Sequence, residues 1–196
     1  MTGDDDPSQA PPSFAMTRAV EILANIYEKQ RRNADVLPPP LDRVVQIFNE
    51  AVTLDVTRTT RADVERALGI GFAYPVRGWH TYCVRGGENT REFLSLFYSQ
   101  NALLSAELYV PKVQRAPALA PRNLGRFRLI PGEITIGMQF ASLPERFATI
   151  PAPTGFGPYD QILEARFPGG SVYVMGCKGT IERLAIYGRQ DSAPAE

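Results

Sequence analysis

The stretch Phe93-Leu94-Ser95-Leu96-Phe97-Tyr98, then Ser99-Gln100-Asn101-Ala102, then Leu103 through Tyr109 reads as a strand, a polar turn and a second strand. Apolar residues alternate on both sides of the turn, which is the pattern of strands with one face buried. The same pattern returns as Ser171-Val172-Tyr173-Val174-Met175-Gly176, then Cys177-Lys178-Gly179-Thr180, then Ile181 through Tyr187. The two superpose without a gap at an offset of 78: Leu94 falls on Val172, Leu96 on Val174, Leu103 on Ile181, Leu108 on Ile186 and Tyr109 on Tyr187. A hairpin written twice predicts a duplicated unit, and the rest of the chain is read around it.

Upstream of the first hairpin, Thr53 to Thr57 is a short strand candidate. Thr60-Arg61-Ala62-Asp63 fits a capping box, in which a hydroxyl and a carboxylate satisfy free N–H groups at a helix start. Val64, Ala67 and Leu68 form that helix's buried face, and Gly69 suits its left-handed end. Residues 77–85 read as a strand with Trp79, Tyr82 and Val84, followed by a turn at Gly86-Gly87-Glu88-Asn89. The second hairpin is preceded in the same order. A strand is expected over 133–137, a capping box at Ser142-Leu143-Pro144-Glu145 with Phe147 and Ala148 buried, a strand over 159–167 and a turn at Pro168-Gly169-Gly170. Helices this short are not stable alone and must pack on a sheet.

Ahead of both units, a helix is expected from about Ser13 to Asn33, with Met16, Ala19, Val20, Leu23, Ile26 and Tyr27 on one stripe. Lys29, Arg31 and Arg32 complement the dipole at its end. It reads either as a core-packing helix or as an arm that docks on a second subunit. Pro38-Pro39-Pro40 is a rigid break, and Leu41, Val44, Val45, Phe48 and Val52 predict a second helix over 41–52. The predicted fold class is α+β: two tandem helix-plus-antiparallel-meander modules forming one sheet with helices on one face, preceded by two N-terminal helices. The expected divisions are a disordered tail (1–13), an N-terminal helical segment (14–52), module one (53–110), a basic Pro-rich linker (111–132), module two (133–189) and a second disordered tail (190–196).

The 196 residues suffice for one large domain or two small ones sharing a core. A hydrophobic content of 44% and a charged content of 21% are ordinary for a globular chain. A formal net charge of zero gives no global electrostatic case for nucleic acid or an anionic membrane. No apolar run approaches the roughly 18 residues of a membrane helix. The acidic start Met1-Thr2-Gly3-Asp4-Asp5-Asp6 lacks a signal peptide's basic and apolar regions. Cys83 and Cys177 form no CxxC and no disulfide framework. These features predict a cytoplasmic protein, or a periplasmic one if a leader was removed.

Ile136-Gly137-Met138-Gln139, a short helix through Leu143 and Phe147, and a meander ending in Leu184-Ala185-Ile186-Tyr187 resemble the SmpA/OmlA (BamE-type) module. In the first unit, Val64 through Leu68-Gly69 is similar to that module's V-x-x-x-L-G element. Two such modules in tandem resemble the β-lactamase-inhibitor-protein architecture. The resemblance implies short helices on one face of a continuous sheet, a partner held on the other, and binding rather than catalysis.

Catalytic signals are weak. The sole histidine, His80, and Cys83 are three apart in a predicted strand, so their side chains point to opposite faces and form no dyad. One His and two separated Cys give no metal-ligand spacing. Glu88, Glu92, Glu107, Glu164 and Glu182 are expected in turns or on exposed strand faces, and Gly69-Ile70-Gly71 follows a helix instead of preceding one, so no phosphate loop is expected. No cofactor is predicted. Aromatic residues are the stronger signal: Trp79, Tyr82, Phe97, Tyr98, Tyr109, Tyr159, Tyr173 and Tyr187 all fall on predicted strands. Tyr, Trp and Arg are the usual anchors of protein interfaces. The expected partner-binding residues are Trp79, Tyr82, Tyr109 and Tyr187, with Arg115 and Arg126 from the basic stretch Lys112 to Arg128. The favoured function is a non-enzymatic protein-binding or inhibitor-like scaffold. Alternatives are a small-ligand-binding protein with a pocket between sheet and N-terminal helices, and an enzyme of unknown class. Another protein is the expected partner, a homo-oligomer through the N-terminal helix is a further option, and nucleic acid is not expected.

Overall fold

The computed structural model describes residues 41–73, 78–86, 91–111, 119–122, 124–143, 148–150 and 159–188, with backbone alone at 85, 86 and 148–150. Both tails, the helix expected over 13–33, the proline break, the turn at 87–89, and Lys112, Arg115, Pro144, Glu145 and Phe147 lie outside the described residues. In chain order the strands are β1 (Gln46–Phe48), β2 (Thr53–Leu54), β3 (Phe72–Ala73), β4 (Trp79–Gly86), β5 (Arg91–Ser99), β6 (Ala102–Tyr109), β7 (Arg128–Ile130), β8 (Ala148–Ile150), β9 (Gln161–Phe167), β10 (Gly170–Cys177) and β11 (Thr180–Gly188). One α-helix, α1 (Arg61–Leu68), lies between β2 and β3, and a 3₁₀ turn spans Phe140–Ser142.

The two hairpins share their local geometry. Gln100 and Asn101 in one turn, and Lys178 and Gly179 in the other, hold φ of 47°, 74°, 52° and 78°. Two left-handed residues in a two-residue loop match the twist of the flanking strands. Each ladder then slips by one residue at equivalent positions, between Phe97 and Tyr98 and between Met175 and Gly176.

These strands build an eight-stranded antiparallel sheet in the order β3-β4-β5-β6-β11-β10-β9-β8. The halves have the same internal order and meet through β6 and β11. There Leu108 pairs with Leu184, Glu107 with Ala185, and Ala106 with Ile186. A two-fold relation exchanges the first and last of these pairs and leaves Glu107–Ala185 on its axis. Leu108 and Ile186 are both fully buried.

The expected α+β fold is corrected to a mostly β one. Among the described residues 52% are strand and one α-helix is present. Residues 41–52 do not form the second N-terminal helix. Val45, Ile47 and Asn49 are buried with less buried residues between them, a period of two, and β1 lies in their midst. Asn49 then turns the chain, its Oδ1 accepting from the backbone N–H of Ala51 and Val52. The apolar stripe of this segment is compatible with a helix, but β-branched Val44, Val45 and Ile47 and the Asn turn favour extended backbone.

The layer over the inner face is therefore mostly strand as well. β2, β1 and β7 form a second, three-stranded sheet. β7 comes from the stretch expected as a linker. Residues 133–137, expected as a strand, form a turn with a single bridge from Ile134 to Leu129. Ile47, Leu54, Leu129, Val64, Leu68 and Phe140 from this layer share one core with Leu94, Leu96, Leu108, Val172, Leu184 and Ile186 of the large sheet. Helix α1 forms as its sequence predicts: Thr60 and Asp63 make a complete capping box, and Gly69 ends the helix at φ 72°. No helix among the described residues is long and apolar enough to cross a membrane.

Candidate functional site

The outer face of the large sheet carries the polar and aromatic residues. Alternation puts Leu94, Leu96, Leu108 and Ile186 inward, so their neighbours Ser95, Glu107, Tyr109, Ala185 and Tyr187 face the other way. Cross-strand register arranges that face in three rows. The central row runs Thr81, Ser95, Glu107, Ala185, Tyr173, Glu164 across six adjacent strands. One flanking row is Trp79, Phe97, Ser105, Tyr187, Ser171, Arg166, and the other is Cys83, Phe93, Tyr109, Arg183, Met175, Ile162.

The central row is polar and buried. Thr81 Oγ1 and Ser95 Oγ share a hydrogen bond of 2.8 Å, and Tyr173 Oη donates to Glu164 Oε1 at 3.1 Å. Glu107, wholly buried, sits between these pairs. Arg183 forms a close ion pair with its Oε2, and Tyr187 Oη donates to its Oε1 at 2.5 Å. Both partners are diagonal neighbours from β11, two residues either side of Ala185, within reach of long side chains. The Arg183 guanidinium lies 5.6 Å from the centre of the Tyr109 ring, and Tyr109 stacks on Phe93 at 6.0 Å. Tyr187 meets Tyr173 edge-on at 5.6 Å, and Trp79 tilts against Phe97 at 5.2 Å.

Burial, and then the neighbouring Glu107 carboxylate, push the Tyr187 hydroxyl well above its ordinary pKa, so it stays a hydrogen-bond donor. Burial is the largest single influence on Arg183 and opposes its charge; the charge and hydrogen bond of Glu107, with Tyr187 and Tyr159, together outweigh it and hold the guanidinium more firmly protonated than usual. A buried ion pair is a poor route to stability alone, since apolar groups of similar volume do as well. Perturbed groups gathered on one face mark a candidate functional site, and structural ion-pair networks perturb pKa values in the same way.

The expected contact residues divide by strand parity. Trp79, Tyr109 and Tyr187 share the outer face and are half-buried. Tyr82 is on the inner face, buried, donating to Gly69 O at 3.1 Å. Arg115 lies outside the described residues. Arg126 is exposed and donates to Thr135 Oγ1 and Ile136 O at 3.0 and 3.2 Å. Its basic neighbours also serve the fold. Arg122 donates to Leu68 O and Ile70 O at 2.6 and 3.0 Å, fastening the end of α1, and Arg128 pairs with Glu133 at 2.6 Å over the Phe48 ring. His80 and Cys83 lie on opposite faces, as alternation requires.

Glu92, Glu107 and Glu164 are buried, correcting their expected exposure. Sequence reading also missed Arg183. One signal for both members of the ion pair was available. At the hairpin offset Glu107 falls on Ala185 and Arg183 on Ser105, so each half carries one charge that the other lacks. Among the described residues no group of three or more His, Cys, Asp or Glu is placed to hold a metal. No protein-family model, curated protein or solved structure matches the chain significantly.

Proposed function

We propose that this chain is a non-enzymatic binding scaffold whose outer sheet face takes a protein partner on the half-buried rings of Trp79, Phe97, Tyr109 and Tyr187, which surround the buried Glu107–Arg183 pair. The observation that carries this reading is the placement of Trp79, Phe97, Tyr109 and Tyr187, all half-buried, on one face around Arg183. Aromatic and Arg side chains are the residues that supply most interface energy. Held on paired strands and packed against neighbouring rings, they lose little freedom on binding. The likeness to SmpA/OmlA modules, carried by the residues quoted above, agrees with a binding role. A second reading, small-ligand binding, is favoured by the convergence of Glu107, Arg183 and Tyr187 at the middle of the same face. Photo-crosslinking separates them. A benzophenone side chain at position 79 should capture one protein from host lysate, and the same group at Arg66 on α1 should not. A chain purified from its host with a stoichiometric small molecule in native mass spectra, and no protein crosslink at 79, would establish the second reading instead.

A further inference from the structure

On the inner face, away from the proposed binding surface, His80 on β4 and Tyr98 on β5 pack edge to face with ring centres 5.4 Å apart. Both are more than nine-tenths buried, at 4% and 7% exposure. Neither His80 Nδ1 nor Tyr98 Oη has a hydrogen-bond partner among the described residues. The start of α1 is fastened over this end of the sheet: the Arg61 N–H donates to Asn101 O at 2.9 Å, the Leu103 N–H donates to Thr59 O at 3.0 Å, and Val64 shares a core with Tyr82 and Tyr98. Arg61 and Glu65, an ion pair of 2.7 Å on this part of the helix, are the charged groups that act on the two rings. Tyr82 is the other titratable group on this face of β4, and β3 offers only Ala73 opposite His80. A proton on Nδ1 therefore meets low dielectric, no hydrogen-bond partner among the described residues and the positive charge of Arg61, while Glu65 is already engaged.

We propose that His80 is an acid-sensitive latch beneath α1: protonating its imidazole disturbs the core that Val64 of the helix shares with Tyr82 on β4 and Tyr98 on β5, and loosens α1 from the sheet. Burial first, and Arg61 second, depress the affinity of His80 for a proton, and Glu65 opposes them only in part. The folded value thus lies below the unfolded 6.5. Stability is complete above pH 6.5, falls as pH drops from there toward the folded value, and levels off below it. The cap at Thr60 and the Arg122 contacts at the far end anchor the helix at neutral pH.

His80 is the chain's only histidine, so imidazole NMR signals of the full chain report on it alone. Two readings are followed between pH 7.5 and 5: the His80 titration, and amide exchange over residues 61–68 corrected for intrinsic rates. The imidazole should titrate below 6.5, and exchange in α1 should accelerate about tenfold relative to β6 and β11. In His80→Phe, which keeps the ring contact with Tyr98, that acceleration should vanish. An imidazole titrating at or above 6.5, or α1 exchange that tracks the strands throughout, overturns the proposal. The wild-type readings decide this even if the variant does not fold.

Discussion

Glu107 faces Ala185 across the β6–β11 ladder, and the small Ala185 side chain lets Arg183 and Tyr187 reach the carboxylate from either side. A larger residue at 185 would stand between them. The ion pair, the tyrosine hydroxyl and the axis relating the halves of the sheet thus coincide at one pair of residues.

Removing one charge there leaves the other buried without its partner. Glu107→Ala should lower unfolding free energy by about 3–5 kcal/mol. Glu107→Leu combined with Arg183→Met should recover most of that loss, because neither charge then remains. Urea denaturation of the single and double variants checks this through the coupling between the sites. Additive losses would mean that the two side chains do not act as a pair.

The hairpin turns predict gains. Gln100 and Lys178 hold left-handed φ of 47° and 52°, a region Asn tolerates better. Lys178→Asn creates an Asn-Gly turn with Gly179, the preferred sequence for this geometry. It should stabilise the chain by roughly 0.5 kcal/mol, raising the melting temperature by about 1–2 °C. Calorimetry that shows a loss would contradict the turn assignment.

Asp55 links the small sheet to the loop before α1. Burial disfavours its charge, but hydrogen bonds from the Thr57 side chain and backbone, Gln46 and Arg58 outweigh burial and hold its pKa below the ordinary 3.8. Its contribution is complete above the unfolded value and is lost as pH falls through the folded one. Asp55→Asn should lower stability at pH 7 and flatten the decline below about pH 4. Parallel acid limbs in the two proteins would contradict this.

Arg122 closes the C-terminal end of α1 through Leu68 O and Ile70 O. Arg122→Ala should cost about 1 kcal/mol and speed amide exchange at residues 65–69 more than in β5. Uniform change across both elements would mean that the arginine does not hold the helix end.

How much of this was written in the sequence differs by element. The hairpins were legible to the turn residue, because alternation and turn chemistry are local and were seen twice. The α1 cap was legible for the same reason. Residues 41–52 were not: their apolar stripe satisfies a helix, and pairing of β1 with Arg128–Ile130, some eighty positions away, decides the outcome. On the outer face, Trp79, Tyr109 and Tyr187 were placed together by alternation, whereas Tyr82 is out of phase with Trp79 by one residue and joins the core. Glu107 was read as exposed because a polar residue alternating with core residues ordinarily meets water. Its burial depends on Arg183, which no local pattern brings near it.

Capture from native host lysate decides whether the outer face holds a protein. Wild type, Trp79→Ala and the exposed helix variant Arg66→Ala serve as baits at low and moderate salt. One stoichiometric protein should be held by wild type and Arg66→Ala at moderate salt and lost by Trp79→Ala, whose melting temperature should stay within about 4 °C of wild type. Equal capture by all three baits, or loss of the partner together with a collapse in the stability of Trp79→Ala, would contradict this.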